Sequence, residues 1–126
     1  MSTERKTVPD PYQVTLGRGF VEAGADCVLG AHPHVLQGAE LYAGRPVFYS
    51  LGNLVSPLSG STGVFKLTFE GRRLKGVEML PCAIRSGKVE PLLPATWPKA
   101  KSRFAVLGAT AAAKYKNPKS VPLKAR

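Results

Sequence analysis

Both histidines of the chain, His32 and His34, lie on either side of a single residue, Pro33. A short apolar run, Cys27 to Leu29, leads to them, and Gly30 and Ala31 leave the adjoining backbone uncrowded. Pro33 disfavours helical backbone at the residue before it. In extended chain, residues i and i+2 point to the same side. The spacing therefore predicts two imidazoles side by side at the end of a strand, which is a metal-ligand geometry. A hydrogen-bonded surface pair is the plain alternative. Two imidazoles alone do not complete a catalytic site, which takes three or more protein ligands and an open position. A two-metal site also needs bridging oxygen ligands between ions about 3.5–4 Å apart. Asp26 precedes His32 by roughly 20 Å of extended strand and belongs at the strand's opposite end. Glu22 falls on a helix, and Glu40 follows beyond a turn. The sequence supplies a partial site.

The elements that must position this pair are legible around it. Asp10 followed by Pro11 is a helix start, a cap residue with proline at the first helical position, and Gln13 completes a capping-box-like pattern. Val14, Leu16, Phe20 and Val21 predict an apolar helix face over 10–23, closed by Gly24 in a left-handed cap. Asp26 to Gly30 reads as a short buried strand. The helix–strand order ending in the histidines is an α/β unit with its chemistry at the strand's C-terminal end, where open α/β sheets place ligands. Strands are predicted at 39–42 and 46–51, then at 64–69, 74–84 and 89–92, separated by short turns with a Ser/Gly/Pro loop over 56–63. This is an antiparallel meander. Residues 93–101 read as an extended connector, Ser102 as the cap of a helix running to Lys116, and the last eight residues as disordered. Residues 1–9 are polar and expected to fray. The division is thus a folded part over 1–93 and, over 94–126, a connector, short helix and basic tail.

Composition narrows the function classes. A chain of 126 residues with 44% hydrophobic content can bury a core, while 11 prolines and 13 glycines imply many loops. No apolar run approaches the 18 or so residues of a membrane span, and the first six residues lack the apolar stretch of a secretion signal. Cys27 and Cys82 have no CxxC spacing, which speaks against a zinc ribbon and for two buried thiols. The net charge of +10 is localised: residues 99–126 hold eight Lys/Arg and no acid. Such a segment can attract nucleic acid, an anionic surface or an anionic polymer, but no nucleic-acid fold pattern accompanies it. Ser50-Leu51-Gly52 lacks the leading glycine of a nucleophile elbow, and residues 59–63 lack the Gly-Lys-Ser/Thr ending of a phosphate loop. Arg72, Arg73 and Lys75 read as a solvated hairpin face.

The segments Gly24-Ala25-Asp26, Gly30-Ala31-His32-Pro33-His34, Gln37, Glu40 and Tyr49-Ser50-Leu51-Gly52-Asn53 together resemble the C-terminal motifs of bacterial capsule-synthesis proteins of the CapA type. The resemblance is specific over about residues 9–56 and extends through the strands to about 93. That family is associated with poly-γ-glutamate capsules and has a calcineurin-like metallophosphoesterase fold. The resemblance implies an α/β (α+β) architecture, the C-terminal half of a metallophosphoesterase-like β-sandwich flanked by helices. It implies that His32 and His34 are metal ligands and that Asn53 binds substrate or supports the metal loop. The implied cofactors are divalent ions (Mn, Fe, Zn or Mg), held only if further ligands are supplied. The family's earlier Asp, Asn-His and His-Trp-Gly motifs have no counterpart here.

The expected function is accordingly that of a CapA-like fragment in capsule or poly-γ-glutamate biosynthesis. It would carry a partial two-metal phosphoesterase-like site with little hydrolase activity of its own. Its expected partners are a chain bearing the missing N-terminal half and an anionic polymer or phosphoester substrate. The family is often associated with the cell envelope, and the sequence itself assigns no compartment. Two other readings stay open: a basic module binding nucleic acid or anionic polymer through residues 99–126, and a non-functional remnant.

Overall fold

Helix α1, Pro11–Glu22, starts where the capping signals place it, and the backbone N–H of Asp10 donates to Gln13 Oε1 at 2.8 Å. The structure is a computed structural model and describes residues 6–54, 56 and 58–126. The apolar residues of α1 divide into two stripes. Val14, Gly17 and Val21 are buried, whereas Tyr12, Leu16 and Phe20, four apart, are more than half exposed. The expected single face thus splits, because Leu16 stands two residues beyond Val14, roughly 200° around a helix that turns about 100° per residue.

Strands β1 (Val28–Leu29), β2 (Ala39–Tyr42) and β3 (Arg45–Phe48) follow α1. Then come β4 (Gly60–Glu70), β5 (Arg73–Arg85), β6 (Lys88–Pro91), helix α2 (Trp97–Lys114) and β7 (Ser120–Pro122). The first sheet is ordered β1-β3-β2-β7, with β1 parallel to β3 and the other pairs antiparallel. The second, β4-β5-β6, is the expected antiparallel meander. Strand β4 begins at Gly60, four residues earlier than the alternation predicts, because Gly60–Gly63 pair with Pro81–Ile84; Pro57 of the preceding loop lies outside the described residues. The fold is α/β, with two sheets and two helices.

Alternation along β3 sends successive side chains to opposite faces. Val47 joins Val14, Val21, Tyr42 and Tyr49 under α1. Phe48 joins Ala39, Val77, Met79, Phe104 and Leu123 on the other face. There Phe48, Phe65 and Phe104 form a triangle of rings with centroids 5.0–6.3 Å apart, the range in which aromatic pairs attract. Helix α2 comes very close to β2: a Cβ on Gly38 would stand 2.2 Å from the backbone nitrogen of Gly108.

The C-terminal region departs most from expectation. Helix α2 begins at Trp97, five residues before Ser102, after a 3-10 turn at Pro94–Thr96. Pro98 sits in the first turn, where its missing N–H costs nothing, so part of the expected extended connector is instead the start of the helix. Trp97 Nε1–H donates to the Leu92 carbonyl at 2.8 Å and fixes that start. The last eight residues are ordered. Strand β7 pairs with β2, Leu123 is 2% exposed, and the Arg126 backbone bonds Val77 and Met79 of β5. A composition rich in lysine suggested disorder, but Val121-Pro122-Leu123 completes a sheet edge and plugs the core. At the other end, residues 1–5 lie outside the described residues, while Pro9 is buried and its carbonyl accepts from the Tyr115 hydroxyl at 2.6 Å.

If β7 closes the core, Leu123→Ala should cost about 2–4 kcal/mol in urea unfolding, whereas Lys124→Ala should stay within about 0.5 kcal/mol of wild type. A neutral Leu123→Ala would mean that this segment is not docked.

Candidate functional site

The histidine loop leaves the sheet at β1. Beyond Leu29 the pairing with the third strand persists as single bonds: Gly30 N–H donates to Phe48 O (2.7 Å) and Leu51 N–H donates to Gly30 O (3.1 Å). A Cβ on Gly30 would stand 2.2 Å from the Tyr49 carbonyl oxygen, so the close approach needs glycine there.

The loop is not extended. His32 has φ 102° and His34 φ 63°, both in the left-handed region that side chains rarely occupy. The chain must reverse between Gly30 and Leu36, which bridges antiparallel to Leu51. Pro33 is fully buried at the bend, and both flanking histidines are turned out to solvent. Their ring centroids are 6.2 Å apart with planes at 47°. The imidazoles do meet, brought together by a tight bend instead of by strand alternation. Non-glycine residues held at positive φ concentrate at functional sites.

Asn53 reaches the same point from the other segment, with its Oδ1 2.9 Å from His34 Nδ1. The Asn53 amide nitrogen donates to Ser56 Oγ at 3.4 Å. That orientation leaves Oδ1 toward the ring, so Nδ1 is the nitrogen that donates to Asn53. Such a partner on the far nitrogen is the usual second support of a ligating histidine.

The Tyr49-to-Asn53 segment is the floor of this loop. Ser50 is buried, its carbonyl accepts from Gln37 N–H (3.1 Å), and its Oγ accepts from Gly52 N–H (3.1 Å). Gln37, fully buried, accepts from Gln13 Nε2 (2.9 Å) and donates to the Lys6 carbonyl (2.8 Å). Gln13, a capping signal in the sequence, thus also supports the histidine loop. Nothing in its spacing announces the second role; the partner lies 24 residues away.

The carboxylates point elsewhere. Glu40, the acid nearest in sequence beyond the loop, is buried and receives Arg18 Nε (2.8 Å), Arg18 Nη2 (2.9 Å) and Ser120 Oγ (2.9 Å). Burial alone would raise its pKa, but the bonds from Arg18 and Ser120 outweigh burial and hold the carboxyl below its ordinary value. The buried Tyr49 hydroxyl has no hydrogen-bond partner among the described residues; burial, then the Glu40 charge, push its pKa far above the phenol range. Asp26 pairs with Arg72 (2.8 Å) and Arg45 (3.4 Å) at the other end of the unit. Arg72, expected as a mere solvated residue, also donates to the Gly24 carbonyl and ties the meander to the α1–β1 turn. Both cysteines are free thiols whose pKa burial raises, the reverse of nucleophile activation.

The donor chemistry of His32 and His34 therefore suits a divalent ion, but the number does not. Among the described residues no group of three His, Cys, Asp or Glu side chains converges. The two rings supply two imidazole donors.

Fold and loop define an α/β domain with paired histidines on a strained bend, braced by an Asn from a Tyr-Ser-Leu-Gly-Asn floor. Residues 1–58 match the family model for bacterial capsule synthesis protein PGA_cap. Capsule biosynthesis protein CapA of Bacillus anthracis is 51% identical over 47 residues, which are 37% of this chain and 11% of that relative. PGA biosynthesis protein CapA of Bacillus subtilis (strain 168) is 51% identical over 47 residues, 37% and 12% of the two chains. An uncharacterized protein of Sinorhizobium fredii is 49% identical over 45 residues, 36% and 10%. Over that matched part the chain is similar to the CapA-type capsule-synthesis proteins. The matched stretch spans about a tenth of each relative's length.

The Arg18–Glu40 pair yields a prediction. Arg18→Met leaves a buried carboxylate unpaired and should cost about 3–5 kcal/mol, read from urea unfolding. Because the folded carboxyl holds its proton less tightly than the unfolded one, the contribution of Glu40 is full above its ordinary pKa of 4.5 and fades as pH falls through the lower folded value. The gap in thermal midpoint between wild type and Glu40→Gln should be widest near neutrality and narrow below that pH. A constant gap would contradict this assignment.

Proposed function

We propose that this chain acts in capsule or poly-γ-glutamate biosynthesis, with His32 and His34 contributing part of a divalent-metal site that acts on a phosphoester or other anionic substrate. The observation that carries the reading is the His34–Asn53 hydrogen bond beside a second imidazole 6.2 Å away, within a segment of CapA type. A Mn, Fe, Zn or Mg ion held there would supply Lewis acidity toward the anionic substrate. In this reading the chain's own part is to present two neutral imidazoles and, through Asn53, to keep the His34 hydrogen on Nδ1.

The remaining ligands come, in this reading, from a second polypeptide segment that docks beside the loop. The outer edge of β1 is unpaired among the described residues. Leu29 (60% exposed) lies there, with Tyr12, Leu16 and Phe20 of α1 on one side and Leu54, Val64 and Phe69 on the other, all exposed. A contiguous apolar surface of this kind marks an interaction face, and an open strand edge is a template for another strand. That surface leads directly to the histidines, so a strand paired there would end beside them.

Metal binding tests the proposal. Titration of the chain with Co²⁺, followed by its visible absorption, should show a weak site that His32→Ala and His34→Ala each abolish without lowering the thermal midpoint. Asn53→Ala should weaken it about ten- to a hundredfold. Hydrolysis of generic phosphoesters with Mn²⁺ should stay at background. Absorption indifferent to both histidines would overturn the metal reading. Robust turnover lost in His34→Ala would show that no further segment is needed.

A further inference from the structure

The run Cys27-Val28-Leu29-Gly30-Ala31 contains no charged residue and no proline, the residues that commonly protect an exposed strand edge. Both backbone bonds of Gly30 run to the third strand and its continuation, to Phe48 and Leu51. Backbone groups alternate sides along a strand, so the N–H and C=O of Leu29 point to the open edge, with Cys27 and Ala31 in phase with it.

On one face of this edge lies a hollow of about 190 Å³ under α1, lined by Leu16 and Phe20. On the other lies a hollow of about 500 Å³ against the meander, lined by Val64 and Phe69. Leu29 borders both. A strand paired here sends alternate side chains into each, so it has to be apolar on both faces, as strands in the middle of a covered sheet are. The run from Cys27 to Ala31 is itself such a strand. The seven apolar side chains of this face are 38–60% exposed. At roughly 150–200 Å² per side chain they leave about 500–700 Å² of apolar surface, to which the edge backbone adds. A stable interface takes about 800 Å² from each partner.

We propose that two copies of this chain pair along β1 as a two-fold dimer. A two-fold axis joins identical surfaces, so the two strands run antiparallel. Outward-pointing groups must meet one another, which sets Leu29 opposite Leu29 of the second copy and Cys27 opposite Ala31. The next register of the same parity would set Cys27 against Pro33, which is buried and has no N–H to donate. In the first register Asp26 comes beside the second copy's His32, and the contact occurs twice. Asp26 is 39% exposed and paired with Arg72 and Arg45. A carboxylate has about four acceptor positions, so Asp26 accepts an imidazole N–H as well. The dimer thus brings the histidines a carboxylate, the group that the single chain turns elsewhere. The inference rests on the reading that the β1 edge takes another polypeptide, commits that polypeptide to a second copy, and does not depend on metal.

Sedimentation equilibrium of the whole chain in EDTA should show monomer and dimer in exchange. Phe20→Glu and Leu29→Lys should each raise the dissociation constant at least about tenfold, because each sets an unpaired charge against an apolar face. Val106→Glu on α2, at a position 61% exposed, should change it by less than about twofold. Equal thermal midpoints at a dilution where all variants are monomeric will show that they fold. Mild oxidation should link Leu29→Cys/Cys27→Ser into a disulfide dimer, since opposed Cα atoms about 5.5 Å apart are within disulfide reach, and should leave Val106→Cys/Cys27→Ser unlinked. Within one chain Asp26 and His32 lie at opposite ends of β1, so non-additive effects of Asp26→Asn and His32→Ala on dimerisation report contact between copies. A chain that stays monomeric at the highest concentrations would overturn the proposal and leave the edge to a different polypeptide. A dimer indifferent to Phe20→Glu and Leu29→Lys would place the interface elsewhere. Absence of the Leu29→Cys link, or strict additivity of Asp26→Asn and His32→Ala, would overturn the register. Because EDTA removes metal, these results stand if the Co²⁺ titration fails, and a monomeric chain leaves that titration untouched.

Discussion

The buried pair between Arg18 and Glu40 holds the two halves of the chain together. Arg18 comes from α1 and Glu40 from β2, and their side chains are only 13% and 5% exposed. Around them Ser120 Oγ donates to the same carboxylate, and Arg18 Nη2 donates to the Tyr115 carbonyl at 2.6 Å. One ion pair therefore joins the first helix, a central strand, the last strand and the end of α2. Desolvating two charges is unfavourable unless every remaining donor and acceptor finds a partner, and here they largely do. The arrangement ties residues 10–50, which carry the family motifs, to residues 115–122, which do not. The basic C-terminal segment is thereby a structural part of the domain.

That clasp also decides what the site can be. Glu40, six residues beyond His34, is committed to Arg18 and Ser120. Asp26 is equally committed, to Arg72 and Arg45. The acids serve cohesion, and Asn53 hydrogen-bonds His34. The strain of two positive-φ histidines is sustained by a well-bonded floor, with Ser50, Gln37 and Gln13 buried or half-buried beneath it. An expensive local geometry held by an over-determined base is the usual structure of a pre-organised site.

The apolar surface beside β1 borders a strand edge that is unpaired among the described residues, which suits another polypeptide.

Much of this was readable in the chain itself. Local signals located α1 to within a residue, because a cap, a proline and a terminal glycine act on adjacent backbone. They located the antiparallel meander as well, because alternation and turn residues are also local. The His-Pro-His and Tyr-Ser-Leu-Gly-Asn motifs carried the family resemblance for the same reason, since close backbone approach and bend formation constrain residue type at each position. Tertiary structure decided the rest. It bent the histidine loop out of the extended form that Pro33 suggested, because Leu36 had to reach Leu51. It turned Glu40 away from the histidines, because Arg18 lay in another element. It ordered the lysine-rich end, because Leu123 found a core made by Ala39, Phe48 and Phe104. And it brought Asn53 to His34, a contact between residues 19 apart in sequence that no local pattern encodes.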